Sequence, residues 1–295
     1  MAALARASSV LGSGLEIRQT RDRELLREFL DSDRLFAAYA ICDLDDREFG
    51  RTRWGVALDH GRPVAVVLEY TGLSPQPLFV MGDRAGVVGA LRDVIRPRTA
   101  YLAARTELLS AASAVYKVSD GPPMVRMWVD STTFRPGPSA AIRLVPEDIG
   151  DLNKLYDFGL TSWLPSESVA NGVYYGIRIN GHLVAAAGTH VVSRAMGLAA
   201  VGNVLTHRDF RGRGFAKIVT GAVTQELLRF CDQVVLNVRA DNPPALRAYQ
   251  SIGYQEHVRF EERLVHRRGS FWDSIVAPIK RWIPDQRRDP PSKEE

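Results

Sequence analysis

Arg211, Gly212, Arg213 and Gly214 follow an apolar run at residues 196–205 and precede Phe215 and Ala216. From Phe215 onward Ile218, Val219, Ala222, Val223, Leu227 and Leu228 recur at helical spacing, so the stretch is expected to be a strand that empties through a glycine turn into a helix. The first N–H groups of that helix have no acceptor within it, and its dipole is positive at this end. With two guanidinium groups alongside, the chemistry on offer is the binding of a phosphate or pyrophosphate. Glycine at 212 and 214 keeps Cβ atoms out of the path of such a ligand. Two better-known glycine loops are excluded by residue type. A dinucleotide fingerprint would need glycine where Lys217 stands, and no Walker loop occurs anywhere in the chain.

A second motif follows downstream. Val234, Val235, Leu236, Asn237 and Val238 read as a strand, and Asn242-Pro243-Pro244-Ala245 opens a helix capped by Asn242 and started by proline, which closes at Gly253. The pair of patterns, R-x-x-G-x-A at Arg211, Gly214 and Ala216 and N-x-x-A-x-x-x-Y-x-x-x-G-Y from Asn242 to Tyr254, resembles the acetyl-coenzyme A site of the GNAT N-acetyltransferase superfamily over residues 141–265. The resemblance implies acetyl-CoA as acyl donor, with no metal. It implies a cofactor site made by Val204, Leu205 and Thr206 on the strand, by Arg211, Gly212, Arg213, Gly214, Phe215 and Ala216 at the turn, and by Asn242, Ala245 and Tyr249 on the later helix. It places Tyr249 beside the thioester sulfur, where a phenol can act as general acid. Many relatives carry a glutamate on the strand before the anion loop; residues 196–202 hold no carboxylate, so no general base is carried over. His190 could serve, since imidazole has a suitable pKa, but it is equally well read as a strand-end histidine. His207 sits in a loop expected to bind phosphate, a poor place for a base.

These motifs must be positioned by a scaffold. In the second half, residues 174–179, the turn Asn180-Gly181 and residues 183–187 form a hairpin, and residues 149–155 a helix; residues 162–171 read as a polar loop in which Trp163 and Leu164 could face the acceptor. The first half repeats the order, with a helix at 21–30, a hairpin at 54–68, a strand at 78–81, a helix at 85–94, a helix over 102–116 and a strand at 124–129. In this copy the strand leads to Gly82-Asp83-Arg84-Ala85-Gly86, which lacks the arginine-glycine turn. The fold class is therefore α/β, two tandem GNAT-like domains of mostly antiparallel mixed sheet flanked by helices, with only the second expected to open its strands for a cofactor. The boundaries are a disordered leader at 1–14, a degenerate domain at 15–130, a linker at 131–141, a catalytic domain at 142–265, and an amphipathic segment with a disordered tail at 266–295.

Composition constrains the remainder. Across 295 residues, 45% hydrophobic and 24% charged content suits globular domains with cores of their own. A net charge of +4 is spread along the chain without an aromatic-rich RNA-binding pattern, so no nucleic acid partner is expected. The two cysteines, Cys42 and Cys231, form neither a disulfide framework nor a metal motif and suit a cytoplasmic protein. No apolar stretch reaches membrane-spanning length. Trp272, Ile275, Val276 and Ile279 recur at helical spacing with basic residues nearby, which suits packing on the protein's own surface or on a second copy in a homodimer, with attachment to a membrane surface as the alternative. The function expected is transfer of an acetyl group to the amine of a small molecule or peptide in a ternary complex. The alternative is a non-catalytic sensor that binds coenzyme A or another phosphate ligand.

Overall fold

The two expected hairpins form for the same local reason. His60-Gly61 and Asn180-Gly181 both adopt positive φ at each position, the backbone of the two-residue turns whose twist matches paired strands. A computed structural model describes residues 14–137, 140–156 and 164–269 of the chain. The first half runs β1 (Glu16–Thr20), α1 (Arg23–Leu30), α2 (Ala38–Cys42), α3 (Asp46–Phe49), β2 (Thr52–Asp59), β3 (Arg62–Tyr70), β4 (Gln76–Gly82), α4 (Arg84–Asp93), β5 (Thr99–Arg105), α5 (Leu109–Ser113), β6 (Tyr116–Val118) and β7 (Met124–Asp130). The second runs β8 (Ile142–Arg143), α6 (Ile149–Tyr156), α7 (Ser166–Asn171), β9 (Tyr175–Ile179), β10 (His182–Ser193), β11 (Leu198–Thr206), α8 (Phe215–Leu227), β12 (Gln233–Arg239), α9 (Pro243–Ser251) and β13 (Gln255–Arg267).

The halves share their pairing pattern. β2, β3 and β4 are successively antiparallel and β5 returns parallel to β4, as β9, β10 and β11 are antiparallel and β12 returns parallel to β11. The strands join in one mixed sheet in which β7, from the first half, lies between β12 and β13, while β13, from the second, lies between β5 and β7. The halves therefore interlock. One face of the second half is covered by α8, where Val219, Val223 and Leu227 meet Val201, Val234 and Leu236. The opposite face of β11 and β12, at Leu198, Ala200 and Val235, is covered by residues of the first half, among them Phe36, Ile41 and Cys42.

Two expected elements differ. The helix expected over residues 102–116 is replaced by β5 and the short α5. Ala100, Leu102 and Ala104 are buried while Tyr101 is exposed, an alternation that only a strand produces. Alanine-rich sequence such as this carries weak local preference, and pairing with β4 and β13 decides it. The polar loop expected at 162–171 contains α7, anchored by buried Val169. The leader through residue 13, Trp163 and the amphipathic segment from residue 270 lie outside the described residues.

Candidate active site

β11 pairs with β12 only from Leu198 to Val201. Beyond Val201 it continues to Thr206, held by β10 on one side and free of β12 on the other. Where the strands part, β11 bulges. Between Gly202 and Leu205 it uses one residue more than β10, with Asn203 in the left-handed region at φ 51°. The Tyr156 hydroxyl donates to the Asn203 carbonyl at 2.5 Å and fixes the bulge. Val204, Leu205 and Thr206 thus line the parted edge, each half-buried, and the Thr206 hydroxyl oxygen is buried without a partner among the described residues.

This edge leads to the glycine turn. Gly212 and Gly214 both have φ 77°, and no neighbouring atom would meet a Cβ at either position; the turn needs glycine for its backbone conformation, not for lack of room. Gly214 begins α8 with no side-chain cap. The N–H groups from Gly212 to Lys217 have no protein acceptor among the described residues. Arg211 donates weakly to the Thr206 carbonyl at 3.4 Å, and the Arg213 guanidinium lies 5.2 Å from the Phe210 ring centroid. Both arginines are exposed beside the free N–H groups. The first half differs here in a way that removes such a site. β4 and β5 also part, after Phe79 and Ala103, so the parting is not confined to the second half as expected. But β4 pairs with β3 in unbroken register, and the Asp83 carboxylate caps α4 by accepting from Gly86 N–H at 2.9 Å. An internal carboxylate holds the position that an anion would take.

The later helix also meets the parted strands. Asn242 accepts from Ala245 N–H at 3.3 Å, which makes it the cap of α9. Tyr249 is buried in the same apolar cluster as Val238, with Val204, Phe215 and Ala245 packed against it. Burial pushes its phenol up to about 12, and its hydroxyl has no hydrogen-bond partner among the described residues. Of the expected residues, Val204, Phe215, Ala245 and Tyr249 thus share one apolar cluster on the α8 face of the sheet.

The opposite side carries polar residues that the sequence reading did not assemble. β10 has its own bulge, at His190, between Thr189 and Val191, and the bulge turns the imidazole over Gly202. A Cβ on Gly202 would lie 2.1 Å from His190 Nε2. Nε2 meets Asn203 Oδ1 at 3.3 Å and Nδ1 meets the Tyr39 hydroxyl of α2 at 3.0 Å. The ring is open to solvent on one side and enclosed by protein elsewhere, so desolvation lowers its pKa, against the opposing Asn203 hydrogen bond. Next to Tyr39 the buried Arg126 guanidinium donates to the carbonyls of Leu35 and Phe36 and lies between the rings of Tyr39 and Phe260. Glu262 accepts from Asn237 at 2.8 Å; it too is open to solvent yet enclosed, and desolvation raises its pKa against Arg126 and Asn237. Arg126 interrupts an otherwise apolar run in Met-Val-Arg-Met-Trp-Val, and Asn237 does so in Val-Val-Leu-Asn-Val. That interruption was the only local signal. Among the described residues, no group of acidic, histidine or cysteine side chains forms a metal cluster.

A bulged, parted strand ending at an uncapped helix, repeated in degenerate form by the first half, gives this chain the fold of a tandem GNAT acetyltransferase. Residues 174–264 match the family described as FR47-like protein. The fold is similar to that of a GCN5-related N-acetyltransferase from Sphaerobacter thermophilus, at 15% identity over 88% of this chain and 98% of that one, with a TM-score of 0.59. It is also similar to a tandem GNAT protein from the clavulanic acid biosynthesis pathway (17% identity, 87% and 99% covered, TM-score 0.53) and to a structural-genomics protein from Drosophila (14%, 86% and 99%, TM-score 0.62). Comparison with curated protein sequences yields no match.

Proposed function

We propose that the chain is an acetyl-CoA-dependent N-acetyltransferase that acts through its second half. The observation that carries this reading is the uncapped start of α8 at the end of the parted edge of β11. A strand edge with free backbone groups suits the amides of a pantetheine arm, and the N–H groups from Gly212 to Lys217, with Arg211 and Arg213, suit a pyrophosphate. Acetyl-CoA supplies a thioester when bound. The chain's own part is to hold it with Val204, Leu205 and Thr206, to stabilise charge on the acyl oxygen with the β11 backbone near Leu205, and to give a proton to the leaving sulfur from Tyr249. A phenol is protonated at neutral pH and so can hold its proton until a thiolate forms beside it. The acceptor is the amine of a small molecule or peptide. Free, buried Cys42 and Cys231 favour a reducing, cytoplasmic setting.

The test has two measurements, coenzyme A binding by titration calorimetry and thiol release from acetyl-CoA across a panel of amino acids, polyamines, aminoglycosides and lysine peptides. Binding with amine-dependent thiol release is the expected result. Binding without release for any amine would turn the reading into that of a coenzyme A sensor, and no binding would remove both.

A further inference from the structure

The opening between β11 and β12 joins two faces of the sheet. Tyr249 stands on the α8 face, in the cluster with Val201 and Leu236. The other face carries Ala200, Gly202 and Asn237 under the helices of the first half, and there Tyr39 and His190 meet at the two bulges. We propose that Tyr39 and His190, one from each half of the chain, form a proton relay in which the Tyr39 hydroxyl receives the proton of the acceptor amine and passes its own to Nδ1 of His190.

The direction of the relay is fixed by hydrogen bonds behind it. Tyr174 donates its hydroxyl proton to the Thr189 carbonyl at 3.0 Å, so its oxygen is left to accept from Asn203 Nδ2 at 3.1 Å. Asn203 Oδ1 must then face His190 and can only accept, which places the imidazole proton on Nε2. The lone pair is thereby left on Nδ1, and the Tyr39 hydroxyl is its donor at 3.0 Å. The imidazole lies on the backbone of Gly202, a close approach that the absence of a Cβ there allows.

The charges around the pair suit the transfer. No charged side chain contributes to the His190 shift, which comes from enclosure, with Asn203 opposing, and keeps the ring neutral. Tyr39 faces Arg126 of β7, whose guanidinium is 4.9 Å from its ring centroid, with Glu262 of β13 and Cys42 of α2 as further neighbours. Burial holds the phenol protonated at rest, and Arg126 favours the negative oxygen that a transient transfer to His190 would create. As the amine nitrogen bonds to the acyl carbon, its proton passes to the Tyr39 oxygen and the Tyr39 proton passes to Nδ1. The carbon–sulfur bond breaks with its electron pair on sulfur, which takes the Tyr249 proton. His190 then returns its proton to solvent and Tyr249 recovers one, so no net proton is gained or lost by the protein.

The relay rests on the acyl-transfer function proposed for the chain, and the test separates the two. With the amine from the panel that the unmodified protein acetylates fastest, Tyr39→Phe and His190→Gln should each lower kcat by roughly 10²-fold. The double variant should be no slower than the slower single one, since the two act as a unit. Acetyl-CoA affinity should be unchanged, and the acid limb of the pH–rate profile, set by His190 below its ordinary value of 6.5, should vanish in His190→Gln. A structural tether between α2 and β10 would lower stability without moving that limb. Nitrogen-15 spectra of histidine-labelled full-length protein give a second readout that needs no variant: a neutral His190 ring with its proton on Nε2 and an unprotonated Nδ1, persisting below pH 6.5, is expected. Turnover within threefold of the parent in either single variant, losses that multiply in the double variant, or a neutral His190 ring whose single proton sits on Nδ1 would overturn the relay alone. Absence of thiol release with every amine would overturn the acyl-transfer function and the relay with it.

Discussion

Replacing Gly214 should weaken coenzyme A binding through the backbone rather than through bulk. A Cβ at Gly214 meets no heavy atom within 4 Å, but φ is 77°. An L-residue held there costs roughly 1–2 kcal/mol, and a β-branched one more. Gly214→Val can keep the conformation, at a melting temperature lower by roughly 2–8 °C, or release the strain by rotating the peptide. Rotation re-aims the free N–H groups at the start of α8. Loss of one charge-assisted N–H bond costs about 1.5–3 kcal/mol, or roughly 10- to 150-fold in Kd. Arg211→Ala removes one exposed, loosely held guanidinium and should cost only about 0.5–1.5 kcal/mol, an effect that fades with salt. Asparagine tolerates the left-handed region, so affinity should fall in the order Gly, Asn, Ala, Val. Calorimetry with coenzyme A and with pantetheine, which lacks the pyrophosphate, isolates the turn. Unchanged coenzyme A affinity in folded Gly214→Val, or an equal loss for pantetheine, would refute the assignment of this turn to the pyrophosphate.

Tyr249→Phe keeps the ring in its apolar cluster and deletes only the proton, so kcat should fall by roughly 10²-fold with melting temperature and acetyl-CoA affinity nearly constant; turnover within about threefold would return Tyr249 to a packing role. Gly202→Ala should reproduce the kinetic effect of His190→Gln, because the new methyl occupies the place of the imidazole, and a crystal structure should show the ring displaced from Asn203. Asp33→Asn should destabilise the fold by about 1–3 kcal/mol at neutral pH, since the carboxylate accepts from Arg105 and from His257. Desolvation opposes its ionisation, but these two partners prevail and hold its pKa below 3.8. The contribution is therefore complete above 3.8 and lost as pH falls through the lower, folded value, and urea titrations of parent and variant should converge there.

Much of the scaffold was legible because its signals are local. Asn180-Gly181, Pro243 and the glycines at 212, 214 and 253 punctuate strands and helices whose apolar spacing is unambiguous, and the anion turn appeared with them. The alanines of β5 were read as helix because their burial depends on β4 and β13, which no local window contains. The polar cluster was hidden for the same reason: Tyr39, Arg126, His190 and Glu262 are far apart in sequence and meet only through the interlocked sheet. His190 was set aside as a strand-end histidine because an extra residue in β10 cannot be seen without the register of β11.

The exchange of β7 and β13 also dictates a timetable for synthesis. A ribosome delivers β5 and β7 early, yet β5 must wait for β13 and β7 for both β12 and β13, which begin at Gln233 and Gln255. In the interval the nascent first half presents strand edges with unpaired N–H and C=O groups, the kind of surface on which a second chain can add. The pairings that close these edges are distant in sequence and correspondingly slow to form. The last strand to emerge completes the sheets of both halves in one event, so neither half gains its native border before nearly the whole described chain has left the exit tunnel.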